Sequence, residues 1–193
     1  MIIVGVGCGP NLLTERAIEV ISGASLIYGS DRAIEIARRY IPSGCIVKTI
    51  DDYKRLPTLP GEAVILSTGD PMLAGLGYLP GEVVPGISSL QLATARLHIP
   101  LARIAVVVAH GNGHEYAMEE TLLELKRDRI VFLLTDPKFD VCGLYARLGT
   151  HSPPVAIAVC ENLGYPAERV ATGTPESPPL PESALYILVI GNF

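Results

Sequence analysis

The 193-residue sequence lacks cysteines in any spacing typical of a metal site. Its cysteines are scattered and include no C-x-x-C pair. Isolated cysteines of this kind are usually the reduced thiols of an intracellular protein. We therefore expect a cytoplasmic protein without a metal centre. The four are Cys8, Cys45, Cys142 and Cys160.

Long apolar runs are also missing. No run approaches the roughly 18 to 20 residues that a membrane-spanning helix needs. The amino-terminal segment MIIVGVGCGP has no basic residue and reaches its first glycine after four residues, so we expect no signal peptide. The sequence predicts a soluble protein with no membrane partner.

Charged residues are scarce, and basic residues are not in excess. Charged residues of both signs make up 18% of the chain, with 15 Lys and Arg against 20 Asp and Glu and a formal net charge of -5. Because nucleic-acid-binding surfaces are usually basic, we expect no nucleic-acid partner. The hydrophobic fraction of 49% predicts instead that a partner subunit or a ligand covers part of the surface.

The sequence does contain short apolar runs that alternate with glycine-rich turns and amphipathic segments. This alternation predicts an α/β fold, with a largely parallel sheet in the first half. The pattern restarts at HIPLARI, so we expect domains at residues 1–100 and 101–193. Strands are predicted at residues 1–6, 26–28, 46–50, 63–67, 83–84, 104–109, 130–135, 155–160 and 184–190, and helices at 13–21, 31–40, 89–97, 117–126 and 139–148.

Three turns follow strands of the first half: GVGCGP from Gly5, STGDP from Ser67 and VPGISS from Val84. A carboxylate just beyond a parallel strand lies where open α/β sheets bind ligands, so Asp70 could accept hydrogen bonds from a ligand. It could equally cap the turn that follows it. Each turn alone is weak, but the three together in this order indicate a ligand site.

Together, the turns resemble those of the S-adenosylmethionine-dependent tetrapyrrole methylases. VGVGCGPNLLT is similar to that family's V-G-x-G-P-G block, with Asn11 where the family has glycine. LSTGDPMLAG and VPGISSLQLA are similar to its GDP and P-G-I-S-S blocks. The resemblance covers the whole chain and implies two α/β domains with the cofactor, S-adenosylmethionine, in the cleft between them.

The resemblance also implies which residues bind the cofactor. In the first domain, Gly69 and Asp70 would hold its methionine and ribose portions, with Pro10 at the floor of the cleft. In the second domain, Leu134 and Leu163 would approach the adenine. The whole implied set is Pro10, Thr68, Gly69, Asp70, Leu73, Ile87, Ser88, Leu134 and Leu163.

In the second half, three segments are similar to the branch that methylates C5 of precorrin-7 or cobalt-precorrin-7 in cobalamin biosynthesis. They are HGN from His110, FLLTDPK from Phe132 and CENLGYPAERV from Cys160. This resemblance implies a tetrapyrrole (corrinoid precursor) substrate and a homodimer. Some relatives carry a fused C15-methylating and decarboxylating domain, so a separate C15-methyltransferase/decarboxylase is an expected partner.

Methyl transfer from a sulfonium needs proximity and orientation more than a protein nucleophile. A base could still remove the proton of the methylated carbon, and His110 is the residue type suited to this role. His110 could instead be a loop histidine bonded to backbone, and Asp136 a simple turn residue before Pro137. His110 and His114 are separated by glycines that disfavour a helix presenting both to a metal.

Three other functions fit parts of the sequence. Another tetrapyrrole methylase, or diphthine synthase, would share the cofactor turns. An NAD(P)-dependent reductase would account for a glycine turn followed by Asp31, but Pro10 has no N–H to donate to a pyrophosphate. A non-enzymatic binding module is disfavoured by three ligand-type turns in one protein.

Overall fold

The computed structural model describes residues 1–111, 113–150 and 154–193, and Asn112 of the HGN segment lies outside them. The chain forms two compact units, Met1–Ser89 and Leu90–Phe193. The division falls before the predicted position near residue 100. The helix at this point, Ser89–Arg96, is tied to the second unit because Arg96 forms an ion pair with Glu168.

The first unit contains a five-stranded sheet in which every strand pair is parallel, in the order β3-β2-β4-β1-β5. Parallel strands covered on both faces read as continuous apolar runs, and β4 is buried at all four positions. The carboxyl ends of these strands lie at one edge of the sheet. The strands are β1 (Ile2–Gly5), β2 (Leu26–Gly29), β3 (Ile46–Thr49), β4 (Val64–Ser67) and β5 (Glu82–Val84).

The helices of the first unit follow the sequence signals closely. Helix α1 (Glu15–Ser22) begins after Thr14, whose side chain accepts a hydrogen bond from the Ala17 N–H. Helix α2 (Asp31–Ala37) continues as a 3-10 turn to Tyr40. A short helix that the sequence did not predict, α3 (Pro71–Ala74), follows Asp70.

The second unit contains a mixed five-stranded sheet in the order β6-β7-β10-β8-β9. Strands β6 and β7 are parallel, whereas β10 runs antiparallel to both β7 and β8. Strand β9 was not predicted, because its five residues are only half-buried and carry no clear alternation. The strands are β6 (Ile104–Ala109), β7 (Ile130–Thr135), β8 (Ala156–Glu161), β9 (Arg169–Gly173) and β10 (Tyr186–Gly191).

Three helices complete the second unit: α4 (Ser89–Arg96), α5 (His114–Lys126) and α6 (Val141–Leu148). Helix α5 starts at His114, earlier than the predicted Ala117. Side chains of α5 and α6, such as Ala117 and Leu144, pack with Leu133 and Leu188 of the sheet in one core. Among the described residues, no helix is long and apolar enough to cross a membrane.

Candidate functional site

The three glycine turns meet at the carboxyl edge of the first sheet, because β4, β1 and β5 are neighbours. Gly7 and Gly69 form an isolated bridge, with the Gly69 N–H 2.8 Å from the Gly7 carbonyl oxygen. The Cys8 N–H donates to the Ile87 carbonyl at 2.9 Å. These bonds join the first turn to both of the others, so the three turns pack together as one unit.

Glycine is required where the backbones of the turns touch. A Cβ placed on Gly86 would lie 2.3 Å from the carbonyl oxygen of Gly69 and 2.8 Å from backbone atoms of Gly5. Gly69 itself has a φ of +69°, a conformation that L side chains rarely adopt. The turns therefore pack closely only with this set of residues.

Asp70 binds backbone with both of its carboxylate oxygens. Oδ1 accepts a hydrogen bond from the Met72 N–H at 2.7 Å and so caps α3. Oδ2 accepts one from the Gly86 N–H at 3.0 Å, which joins the second turn to the third. The capping interpretation of Asp70 is thus observed, and the carboxylate also organises the site. A direct contact with the cofactor stays a prediction.

The other predicted cofactor residues of the first unit lie on these turns. Pro10 is exposed and precedes Asn11, which has a φ of 63°. Thr68, Leu73 and Ile87 are partly exposed, whereas Ser88 is buried. The exposed members therefore offer surface to a ligand at the edge where the turns meet.

The predicted residues of the second unit are Leu134, near the end of β7, and Leu163, between β8 and β9. Leu134 is partly exposed, and Leu163 is buried. Asn162 and Gly164, which flank Leu163, have φ values of 49° and 82°. Leu163 therefore sits at the centre of a tight turn with a defined backbone shape.

Two glutamates that the sequence did not single out hold this turn. Glu161 is 1% exposed and accepts hydrogen bonds from the Glu182 and Ser183 N–H groups at 2.5 and 2.6 Å, and from Arg169. Glu168 accepts one from the Gly164 N–H at 2.7 Å. In the sequence, the signal that could have identified Glu161 and Glu168 is their position on either side of the turn in CENLGYPAERV.

The hydrogen bonds of these glutamates shift their pKa values. Burial opposes ionisation of Glu161, but the bonds from Arg169 and the two N–H groups outweigh it and hold its pKa below the usual value. The bond from Arg96, supported by the Gly164 N–H, likewise lowers the pKa of Glu168. Both carboxylates are therefore ionised anchors of the turn.

His110 lies directly after β6 and is exposed. Its Nε2 is 3.2 Å from the carbonyl oxygen of Thr135, the last residue of the neighbouring strand β7. A carbonyl oxygen only accepts, so Nε2 carries the hydrogen, and Nδ1 of the neutral ring keeps its lone pair. The backbone-bonded arrangement is thus observed, and it leaves His110 one nitrogen that can accept a proton.

Asp136 follows Thr135 and contacts the same loop. Its Oδ2 lies 2.9 Å from the Gly111 nitrogen and 2.9 Å from His114 Nε2. Its Oδ1 accepts a hydrogen bond from the Lys138 N–H at 2.8 Å. The bond from His114, supported by those from Gly111 and Lys138, lowers the pKa of Asp136 to about 2. The turn interpretation of Asp136 is thus observed, together with contacts that it did not predict.

A cavity of about 300 Å³ lies at the carboxyl ends of β2 and β3, the same edge as the turns. Lys48 and Arg55 line it together with Asp51 and Asp52. Two other arginines have acidic partners, Arg38 with Glu35 and Arg96 with Glu168. In the described part of the chain, no group of three or more His, Cys, Asp or Glu could hold a metal ion.

Comparison with known proteins gives a match over most of the chain. The family model described as tetrapyrrole (corrin/porphyrin) methylases matches residues 1–178. A probable cobalt-precorrin-7 C(5)-methyltransferase of Methanocaldococcus jannaschii is 28% identical over an alignment of 185 positions, which covers 88% of this chain and 86% of that protein. The similarity therefore extends through both units.

Solved structures give the same result. The precorrin-6Y methylase of cobalamin biosynthesis from Archaeoglobus fulgidus is 32% identical, with a TM-score of 0.77 over 100% of this chain and 97% of that one. A uroporphyrin-III C-methyl transferase from Thermus thermophilus, solved with S-adenosyl homocysteine, is 20% identical with a TM-score of 0.72 over 98% and 96% of the two chains. The second likeness concerns the fold alone.

Proposed function

Because the chain belongs to the tetrapyrrole (corrin/porphyrin) methylase family, we propose that it methylates C5 of cobalt-precorrin-7, or of metal-free precorrin-7, in cobalamin biosynthesis. Membership of the family makes it a methyltransferase. The C5 position is supported by the relative from Methanocaldococcus jannaschii, whose name gives that position and whose similarity covers 88% of this chain. The 32% identity with the precorrin-6Y methylase supports the pathway.

The convergence of the glycine turns is the structural observation that supports S-adenosylmethionine as the cofactor. When bound, this cofactor supplies a methyl group already activated on a sulfonium. At Gly86 and Gly69 the turns touch backbone to backbone, with no room for a Cβ on Gly86. Beside the turns, partly or fully exposed surface is offered by Pro10, Thr68, Leu73 and Ile87, and Ser88 lies buried directly before α4. These residues fit a ligand that is held largely by backbone.

In this proposal, Gly69 and Asp70 hold the methionine and ribose portions of the cofactor, and Asp70 also organises the turns around it. The Asp70 carboxylate accepts hydrogen bonds from the Met72 and Gly86 N–H groups and so fixes the second and third turns relative to each other. Gly69 lies next to Asp70 in the second turn. In the second unit, Leu134 and Leu163 are the proposed contacts for the adenine. The turn that carries Leu163 is held by Glu168 at the Gly164 N–H, and Glu161 joins the strand before it to Arg169 and Glu182.

His110 is the proposed base. Its Nε2–H is directed to the Thr135 carbonyl oxygen, so Nδ1 is the nitrogen that would accept the proton lost by the methylated carbon. Replacing His110 by alanine should lower kcat more than it weakens S-adenosylhomocysteine binding, because a proton acceptor acts in the transition state. Equal losses in both would contradict this role.

The remaining features of the proposal are the homodimer, the cytoplasmic location, the cleft for the cofactor and a separate C15-methyltransferase/decarboxylase as partner. They are supported by the family resemblance and stay predictions. An NAD(P)-dependent reductase is the alternative from another class, and it is disfavoured by Pro10 in the first turn.

Two measurements test the proposal. Calorimetry should show that S-adenosylhomocysteine binds and raises the melting temperature, while NADPH does neither, because only a ligand of the native state stabilises it. Incubation with methyl-labelled S-adenosylmethionine and a panel of precorrin intermediates, followed by carbon NMR, should place the label at C5. Label at C11, C17 or C20, or on a protein histidine, would refute the substrate assignment and leave the family assignment intact.

A further inference from the structure

One carboxylate joins the loop that carries His110 to the end of the neighbouring strand. Asp136 Oδ2 accepts the Gly111 N–H at 2.9 Å and contacts His114 Nε2 at 2.9 Å. His110 reaches the same strand end through the Thr135 carbonyl at 3.2 Å. Gly111 has a φ of +70°, and a Cβ added there would meet nothing within 4 Å. The space beside Gly111 is open, and the hydrogen bonds of the Gly111 N–H and of His110 join this loop to the end of β7.

His114, which contacts Asp136, is held in position by its helix and by an aromatic neighbour. It is the first residue of α5, a helix that packs against both β6 and β7. Its ring meets the Phe139 ring edge to face, with centroids 5.4 Å apart and an angle of 73°. Because Asp136 is ionised and can only accept, His114 Nε2 carries the hydrogen of this bond. The imidazole and the carboxylate are each about a fifth exposed, at 22% and 23%, so water screens their bond only in part.

We propose that Asp136 and His114 are positioning residues, which hold the loop carrying His110 in the arrangement required for methyl transfer. This inference rests on the proposed function, because it concerns the rate of that reaction. Neither side chain is assigned a contact with the substrate. The carboxylate binds the loop at Gly111, and His114 fixes the carboxylate from the start of α5.

Substitutions at His114 separate positioning from chemistry. His114→Ala removes the Nε2–H donor, and the resulting displacement of the loop should lower kcat by about tenfold or more, since misplacement by about 1 Å can cost about a hundredfold. His114→Gln places an amide N–H donor at similar reach and should restore most of kcat. S-adenosylhomocysteine affinity should stay at the wild-type value in both variants.

Substitutions at Asp136 test the contact with the loop directly. Asp136→Asn can keep the bond from the Lys138 N–H while placing its NH₂ group opposite the Gly111 N–H and His114. Amide hydrogen exchange at Gly111 should then accelerate, and kcat should fall as in His114→Ala. Asp140→Asn is the matched control, because Asp140 caps α6 through the Gly143 N–H at 2.9 Å and forms no hydrogen bond with the described residues of the loop.

The outcomes are distinct. Faster exchange at Gly111 together with lower kcat in Asp136→Asn, and recovery in His114→Gln, would support the proposal. Faster exchange with unchanged kcat would overturn it, and so would unchanged exchange in Asp136→Asn. If His114→Gln were as slow as His114→Ala, His114 would act chemically and the positioning role would be wrong.

Failure of the proposed function has a different signature. A wild-type protein that methylates another tetrapyrrole carbon would refute the C5 assignment, and the variants would then be compared on that substrate. A wild-type protein with no methyl transfer at all would refute both the function and the inferred effect on rate. Thermal melting of each variant identifies losses of kcat that arise from unfolding.

Discussion

At the scale of single residues, Asp70 combines two tasks that are usually separate. The bond from the Met72 N–H caps a helix of four residues, and such caps typically contribute about 1 kcal/mol to the stability of a protein. The bond from the Gly86 N–H instead connects turns that are distant in sequence. A substitution here should therefore affect both stability and ligand binding.

We expect Asp70→Ala to lower the free energy of unfolding by about 1 to 2 kcal/mol, because a cap and a second backbone bond are lost. It should also weaken S-adenosylhomocysteine binding, measured by calorimetry, because Gly86 is no longer held. Asp52→Ala is the control, since Asp52 caps a 3-10 helix through the Lys54 N–H at 2.9 Å. Normal binding in a destabilised Asp70→Ala would show that Asp70 has only a structural role.

Asp136 gives the protein a defined response to acid. Its pKa in the folded state is about 2, below the ordinary value of 3.8, so its bonds add to stability above about pH 4. As the pH falls toward 2, this contribution is lost, because the unfolded carboxyl takes up a proton first. Carbon NMR titration of the Asp136 carboxyl should give a midpoint near 2. A midpoint near 3.8 would mean that its hydrogen bonds do not form in solution.

At the scale of elements, the glycine turns pack so closely that a Cβ on Gly86 does not fit. We expect Gly86→Ala to reduce the free energy of unfolding by about 1 to 3 kcal/mol, because its Cβ would meet the Gly69 and Gly5 backbones. It should also abolish measurable S-adenosylhomocysteine binding. Gly61→Ala, where a Cβ would meet nothing within 4 Å, is the control. Chemical denaturation measures the stability of both variants, and calorimetry measures their S-adenosylhomocysteine binding. Equal stability and equal binding in the two variants would contradict the close packing of the turns.

The turn between β8 and β9 depends on a buried charge. Glu161→Gln should lower the free energy of unfolding by about 1 to 3 kcal/mol, because Gln has one acceptor oxygen for the Arg169, Glu182 and Ser183 donors. Glu115→Gln breaks an exposed pair with Arg147 and should cost less than about 1 kcal/mol. Denaturant unfolding measures both. Equal losses would show that the Glu161 bonds contribute little.

The regular elements of both units could be predicted from hydrophobic patterns, since strands such as β4 and β7 are continuous apolar runs. The patterns do not reveal α3 or β9. Helix α3 is one turn that depends on the Asp70 cap, and β9 depends on pairing with β8. A single helical turn is too short to show a hydrophobic period, and the pairing of β9 with β8 is a contact between segments that a local pattern does not contain.

The candidate site could be predicted in part. The order of the three turns after strands placed them at one edge, because the carboxyl ends of parallel strands coincide. The anchors Glu161, Glu168 and His114 could not be found in this way. Each acts through a partner distant in sequence, such as Ser183 for Glu161 or Asp136 for His114. Only the folded chain shows which donors reach them.

At the scale of the whole molecule, the surplus of apolar residues is visible on the edge strands. Ile46 and Val47 on β3 are 59% and 40% exposed, and Val106 and Val108 on β6 are 40% and 42% exposed. Exposed apolar edges favour pairing with another chain. We expect light scattering to give about twice the monomer mass of 20.6 kDa. A mass of 20.6 kDa at micromolar concentration would contradict the homodimer.

The position of β10 also determines when the second sheet can form during synthesis on the ribosome. Strand β10 separates β7 from β8, so no continuous sheet exists before residues 186–191 have emerged. The first unit, whose sheet uses only residues 2–84, can fold while the rest is still being translated. Before β10 emerges, β7 and β8 each have an unpaired edge, and such edges make a nascent chain prone to aggregation. Premature termination before Tyr186 would leave the nascent second unit in this exposed state.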